Sequence, residues 1–399
     1  EEYPPYTSEA GEVPKGTREH RLILLSAKTE TALEQMTGNL VQHFRENPGI
    51  RLADAAYTLQ EGRKSFPHRR MQVCSTVEDA IEKLSSPPAR EGVGSTLIDK
   101  PRLVFMFPGQ GSQYVNMGRE LYRTEPVFRE EADRCFEILK SLMDCDIKEI
   151  LYPPDQSDRS DQSDRSDQVD RSYKSDRSSI SIDHTEFTQP IIFVFEYALA
   201  QLLIKWGIVP QAMIGHSIGE YTAACLAGVL SLEAALEVVV QRGRLIGSLP
   251  AGGMLSVPLS EPELLPLLKT NPALSLAAVN GVNRCVAAGP AADVEAFETF
   301  LKEKGHECRE LHTSHAFHSA VLDPVLNEFE EVMKRIVRQK PQIPYISNTS
   351  GTWIKNEEAV DPGYWAVHMR KTVRFHEGIK ELGKEKSTIF LEVGPGHTL

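Results

Sequence analysis

Positive charge is in deficit in this chain: 44 Lys and Arg stand against 56 Asp and Glu, a formal net charge of −12. Phosphate backbones are held by a concentrated basic face, so this balance excludes nucleic acid as a general partner. Cysteine is sparse as well. The six residues Cys74, Cys135, Cys145, Cys225, Cys285 and Cys308 are scattered without close pairs. That argues against a Cys-rich metal site or a disulfide scaffold, and free thiols in a reducing compartment are expected. No apolar run is read as approaching the ~20 residues that span a bilayer. The opening Glu1-Glu2-Tyr3-Pro4-Pro5 lacks the basic-then-apolar order of a secretory signal. The expectation is a cytoplasmic chain without membrane contact.

What is present is ordinary globular composition, 41% hydrophobic and 25% charged, in 399 residues that allow two or three domains. Residues 1–18 are rich in Pro, Gly and Glu and read as a linker or tail. Residues 19–100 read as a small α/β domain. Its strands are Arg21–Ser26 and Arg70–Cys74; helices are expected over Glu30–Phe44, Leu52–Leu59 and Thr76–Leu84, the last capped by Ser75 or Thr76. A loop runs on to Ser95. The main domain, 101–251 and 313–399, opens on the continuous apolar run Arg102–Phe107, suited to a parallel strand covered on both faces. A helix is expected over Gln189–Trp206, a strand over Val209–Ile214, a helix over Glu220–Val229, and strands over Ile343–Ser347 and Ile389–Val393.

Two insertions interrupt this domain. Residues 155–179 are of low complexity and contain three hexapeptide copies over 155–172 that lack regular apolar positions, so a solvated decoration is expected. Residues 252–312 run strand (Met254–Val257), helix (Glu261–Leu268), strand (Leu274–Val279), strand (Arg284–Ala288), helix (Ala291–Lys304), strand (Glu307–His312). That order is ferredoxin-like.

Chemistry concentrates at Gly215-His216-Ser217-Ile218-Gly219, a Gly-x-Ser-x-Gly pattern between an expected strand and an expected helix. Such a turn lifts a serine hydroxyl above a sheet edge and aims helix N–H groups at it. A serine nucleophile needs a base. Spacing alone does not choose among the 12 histidines, although Thr313–Ser319 is where the chain re-enters the main domain.

Five ordered segments together resemble one family. They are Phe107-Pro108-Gly109-Gln110-Gly111-Ser112-Gln113, Gly215–Glu220, Gln241-Arg242-Gly243-Arg244, His315-Ala316-Phe317-His318 and Glu392-Val393-Gly394-Pro395-Gly396. The set is similar to the acyltransferase domain of type I polyketide synthases, kin to the malonyl-CoA:acyl-carrier-protein transacylases. The resemblance runs from about residue 100 to the end. Residues 19–100, with Leu24-Leu25-Ser26-Ala27 and Gly62-Arg63…His68-Arg69, resemble the linker domain between ketosynthase and acyltransferase.

The resemblance implies an α/β-hydrolase-like core with an inserted ferredoxin-like subdomain and an N-terminal α/β linker domain. It implies Ser217 as nucleophile, His318 as base, and an oxyanion hole from the N–H groups of Gln110 and Ile218. Arg242 would hold the free carboxylate of a malonyl group, with Gln189, His315 and Phe317 also on the substrate; a backbone carbonyl near His368 would orient the base. Malonyl-CoA, an acyl carrier protein and an adjacent ketosynthase in the same polypeptide are the implied partners, in ping-pong transfer without metal or redox cofactor. The His-Ala-Phe-His loop resembles the malonyl type. A methylmalonyl enzyme and a serine esterase are the alternatives. The stop just after a family motif suggests a fragment of a longer synthase.

Overall fold

The computed structural model describes residues 19–87, 93–95, 101–154, 181–385 and 387–399. The hexapeptide repeats and the 1–18 segment lie outside the described residues. The chain divides into two compact units, residues 1–100 and 101–399.

In the first unit, β1 (Arg21–Ala27) pairs antiparallel with β2 (His68–Cys74), and β2 pairs antiparallel with β3 (Val93–Ser95). β3 falls in the stretch expected to be loop. Three residues including a glycine carry no strand periodicity, and only the pairing with β2 reveals it. The helices Glu30–Glu46 and Val77–Ser85 start at Thr29 and Thr76, whose hydroxyls accept from Ala32 and Asp79 N–H. Ile23, Leu25, Phe44, Cys74 and Ala80 make this unit's own core.

In the second unit, β4 (Arg102–Phe107), β5 (Ala212–Gly215), β10 (Tyr345–Ile346) and β11 (Thr388–Glu392) form a parallel sheet in the order β10-β5-β4-β11. The expected strand Val209–Ile214 is shorter because Gln211 ends the ladder. Its side-chain carbonyl accepts the Leu103 N–H at 2.6 Å while its own N–H reaches Leu103 O, and Pro210 has no N–H to offer. The following helix is Gly219–Leu226 rather than Glu220–Val229: Gly228 turns left-handed, with φ 78°, and Val229 N–H closes back on Ala224 O.

The helix Thr185–Lys205 begins four residues before its expected start. With 21 residues and mean hydropathy 1.5 it has the length and apolarity to cross a membrane, contrary to the expectation of no such segment. Of its apolar window 78% is buried within this protein, and Gln189 and Glu196 sit on it fully enclosed. It is the core helix of this unit, packed between the helices Pro126–Leu142 and Leu232–Gly247.

The 252–312 insertion folds as β6 (Gly252–Val257), β7 (Ser275–Gly281), β8 (Arg284–Pro290) and β9 (Arg309–Glu310) in the antiparallel order β7-β8-β6-β9, with helices Glu261–Lys269 and Ala291–Glu303. This is the ferredoxin-like arrangement, although β9 keeps only two of the six residues expected. Strand alternation splits its sheet between two cores. Leu255, Val257, Cys285 and Ala287 pack under the subdomain's own helices. Met254, Ala278, Val286 and Ala288 turn instead to the core of the parallel sheet.

Candidate active site

Ser217 stands at the end of β5 with φ 53°, a left-handed conformation unusual for serine. The turn closes so tightly that a Cβ on Gly215 would lie 2.0 Å from Gly219 C, and one on Gly219 would lie 2.4 Å from Phe107 O. Only glycine fits at either place. The helix Gly219–Leu226 starts directly after, with Ile218 as its N-cap, and its first N–H groups tighten the turn: those of Gly219, Glu220 and Tyr221 donate to the carbonyls of His216, Ser217 and Ile218 at 3.0–3.1 Å.

His318 reaches the same point from a sequence separation of 101 residues: Nε2 is 2.7 Å from Ser217 Oγ. Its Nδ1 is 2.9 Å from Lys371 O. A carbonyl can only accept, so Nδ1 carries the proton and Nε2 is left as the acceptor that a base requires. Burial holds His318 well below the ordinary histidine value, and the Arg242 cation beside it pushes the same way, with His368 and His216 adding to the effect. At neutral pH the ring is uncharged and ready to take a proton. Like Ser217, His318 is left-handed, with φ 55°.

Arg242, only 1% exposed, donates from Nη2 to Ser217 Oγ at 3.2 Å and from Nη1 to Gln189 Oε1 at 2.6 Å. Burial works against its charge. The Tyr221 ring, 5.5 Å from its guanidinium carbon, is its aromatic neighbour. Among the described residues no carboxylate pairs with it, and its Nε has no partner. A buried cation in this state is poised for an anion from outside.

These groups border a cavity of about 90 Å³, lined by Gln110, Ser217, Ile218, Arg242, Phe317 and His318 from the main domain and by Met254, Ala278, Asn280, Val286 and Leu311 from the subdomain. A larger groove of about 720 Å³ lies in the N-terminal unit, and none of the sequence-predicted site residues borders it.

Three expectations need correction. The carbonyl that orients His318 belongs to Lys371, three residues beyond His368. His368 is instead buried against Tyr221, Tyr364 and Trp365, with Nε2 3.3 Å from Glu220 Oε2 but too oblique to bond. His315 does not line the cavity: its Nδ1 is held by Ser314 Oγ at 2.8 Å and its Nε2 by Leu249 O at 3.2 Å, so it braces the loop. Gln189 also lies behind the cavity wall and touches Arg242 instead.

Sequence reasoning missed Asn348. Its Oδ1 accepts the Ser217 N–H at 2.7 Å, its Nδ2 donates to Gly215 O at 2.7 Å, and its N–H donates to Glu220 Oε2 at 2.7 Å. One side chain thus clamps both sides of the strained turn. Glu220 is secured in turn by the Tyr364 hydroxyl, which also reaches Ser347 Oγ. The Ser217 N–H is therefore engaged, leaving Ile218 and Gln110 as the oxyanion-hole candidates.

Comparison with known proteins identifies the family. The acyl transferase domain family matches residues 104–399, and a family described as CurL-like, PKS C-terminal, matches residues 21–84. The chain is 34% identical over 383 residues to the spectinabilin polyketide synthase system protein NorB of Streptomyces orinoci, covering 94% of this chain and 17% of NorB. It is 35% identical over 384 residues to the polyketide synthase GfsA of Streptomyces halstedii, covering 94% of this chain and 5% of GfsA. The chain therefore spans only a small part of the length of these relatives. Among solved structures, the acyl transferase domain of ZmaA superposes with a TM-score of 0.84 at 44% identity, covering 95% of this chain and 84% of that one. The SpnD domain, solved in complex with 2-(pent-4-yn-1-yl)malonyl, gives 0.83 at 36%, covering 96% and 86%. The malonyl CoA-acyl carrier protein transacylase of Clostridium perfringens gives 0.62 at 26%, covering 74% and 87%. With a family match over most of its length and relatives that are polyketide synthases, the chain belongs to the acyl transferase domain family, as a polyketide synthase acyltransferase.

Proposed function

We propose that this acyltransferase takes malonyl from malonyl-CoA, holds it as an ester on Ser217, and passes it to the phosphopantetheine thiol of an acyl carrier protein. The observation that carries the reading is Arg242: a buried guanidinium 3.2 Å from Ser217 Oγ that has no carboxylate partner among the described residues. A cation so near the nucleophile suits an acid group carried on a short acyl chain. The planar fork takes that carboxylate bidentately. A neutral acyl group would leave the charge buried and unpaired, which disfavours it.

In the first half-reaction, Ser217 Oγ bonds to the thioester carbonyl carbon while His318 Nε2 takes the hydroxyl proton. The N–H groups of Ile218 and Gln110 receive the developing oxyanion; donors of this kind contribute roughly 10²–10³ in rate. The carbon–sulfur bond then breaks, and coenzyme A leaves as thiol with the proton from His318. In the second half-reaction His318 deprotonates the carrier thiol, which attacks the ester and releases Ser217. The chemistry asks for no metal or redox cofactor.

Malonyl is favoured over methylmalonyl because the cavity is only about 90 Å³ and Phe317 closes one wall. An α-methyl group is worth roughly 1–3 kcal/mol in such a pocket. The SpnD domain's complex with a substituted malonyl supports a dicarboxylic acyl ligand for sites of this kind. An esterase reading has less support, because His318 Nδ1 faces a neutral carbonyl instead of a triad carboxylate. Intact-mass measurement after mixing with malonyl- and methylmalonyl-CoA in competition tests the proposal. A malonyl adduct lost in Ser217→Ala is expected; an unmodified mass, or a dominant methylmalonyl adduct, overturns it.

A further inference from the structure

Behind the cavity wall a line of hydrogen bonds connects Arg242 to Gln110. Arg242 Nη1 donates to Gln189 Oε1 at 2.6 Å, Gln189 Nε2 donates to Thr185 Oγ1 at 3.0 Å, and Thr185 Oγ1 donates to Gln110 Oε1 at 3.0 Å. A guanidinium has donors only, so Gln189 must offer it an oxygen. That turns the Gln189 NH₂ toward Thr185, whose hydroxyl accepts there and keeps its own proton for Gln110. Every bond points the same way, starting from a charge, and such bonds polarise one another. Thr185 is 2% exposed, Gln189 0% and Arg242 1%, so water is no ready substitute.

Two glycines explain why the far end needs a tether. Gln110 lies between Gly109 and Gly111, the latter at φ 119°, and backbone of this kind has little stiffness of its own. Gly243 lets the line close. A Cβ there would sit 3.0 Å from Thr185 O and from Glu186 Cα, so the helices bearing Arg242 and Thr185 approach in near backbone contact.

We infer that Thr185 is a positioning residue that joins the cation of the acyl subsite to the loop that stabilises the oxyanion. The inference rests on the roles proposed above for Arg242 and Gln110. Through Gln110, Thr185 sets the reactivity of Ser217; through Gln189, it sets how Arg242 meets the carboxylate.

The test is a pair of substitutions that rank oppositely for tethering and for packing. Thr185→Val keeps the branched shape and removes the hydroxyl; Thr185→Ser keeps the hydroxyl and removes the methyl, which packs 3.6 Å from the Cβ position of Gly247. Two readouts are used: the rate at which a neutral fluorophosphonate labels Ser217, and kcat and KM for malonyl transfer. Thr185→Val is expected to slow labelling and kcat by about tenfold, a fraction of what losing an oxyanion donor costs, and to raise KM for malonyl-CoA. Thr185→Ser is expected to stay within about threefold of the parent, a small part of that same loss. Labelling as fast in Val as in the parent, or slower in Ser than in Val, overturns the inference. If fluorophosphonate labels Ser217 but malonyl-CoA does not acylate it, the proposed substrate fails while the labelling rates still decide the role of Thr185. If neither reagent modifies the parent, the inference falls with it.

Discussion

The cavity has two sides, and they are built on different principles. On the main-domain side the groups around the nucleophile are polar and hydrogen-bonded, with Ile218 and Phe317 as the apolar part of the wall. Ser217 is held by Asn348, His318 and Arg242, and His318 is held by Lys371. On the subdomain side the lining is Met254, Ala278, Val286 and Leu311, with Asn280 as its polar member, bonded at 2.9 Å to His216 Nε2. The first side over-determines the position of each reacting atom, which lets two residues persist at positive φ. The second side, together with Phe317 opposite, sets a volume. Reactivity and selectivity are thus separable, and substitutions on the two sides should leave different kinetic signatures.

The hardest blow to the polar side is Arg242→Ala. Truncating one member of a buried charge pair typically costs several kcal/mol, so malonyl transfer should fall by roughly 10²–10³. The same change should alter pH dependence. Burial first, and the Arg242 cation second, hold His318 below its ordinary value, so the base stays unprotonated as the pH falls well below that value. Removing the cation and admitting water both favour the protonated ring. The acid limb for fluorophosphonate labelling of Ser217 should therefore move to higher pH. An unmoved limb would mean that Arg242 does not act on the base.

Asn348→Ala should come next. It leaves the Gly215 carbonyl and the Ser217 N–H without their side-chain partner, while the backbone N–H at 348 still donates to Glu220 Oε2, and each unsatisfied buried group costs roughly 1–3 kcal/mol. Melting temperature should drop. Acylation should slow by about tenfold or more as the turn relaxes, a modest share of the oxyanion-hole contribution. Intact acylation in a destabilised protein would make Asn348 a purely structural clamp.

These two residues also mark what could be read in the sequence. The nucleophile was legible from local pattern, because the glycines and the strand-helix junction lie within five residues of Ser217. His318 and Arg242 were reached only through resemblance, since sheet topology and the returning insertion set their approach. Asn348 lies 131 residues from Ser217 and carries no motif. The Lys371 carbonyl has no side-chain signature at all, which explains the mistaken choice of His368. The expected strands Val209–Ile214 and Glu307–His312 are longer than the real ones, since apolar patterning continues where hydrogen-bonded pairing stops. The ferredoxin-like insertion was legible as a unit because its alternation of period reads without knowledge of the partner sheet.

The mildest prediction tests the apolar side. Val286 lies on the β8 face that turns toward the main core, and it is 4% exposed. Val286→Ala removes two methyl groups from the cavity wall and touches none of the polar anchors. The methylmalonyl-to-malonyl adduct ratio in competition should rise by up to about tenfold, the lower part of what one methyl is worth in a pocket. Malonyl acylation itself should change by less than about threefold, because the hydrogen bonds that place Ser217 and His318 remain and only wall contacts are lost. A large fall in malonyl rate with an unchanged ratio would show that the subdomain wall positions the acyl group for attack. Selectivity and reactivity would then share one structural origin, and the division between the two sides of the cleft would not hold.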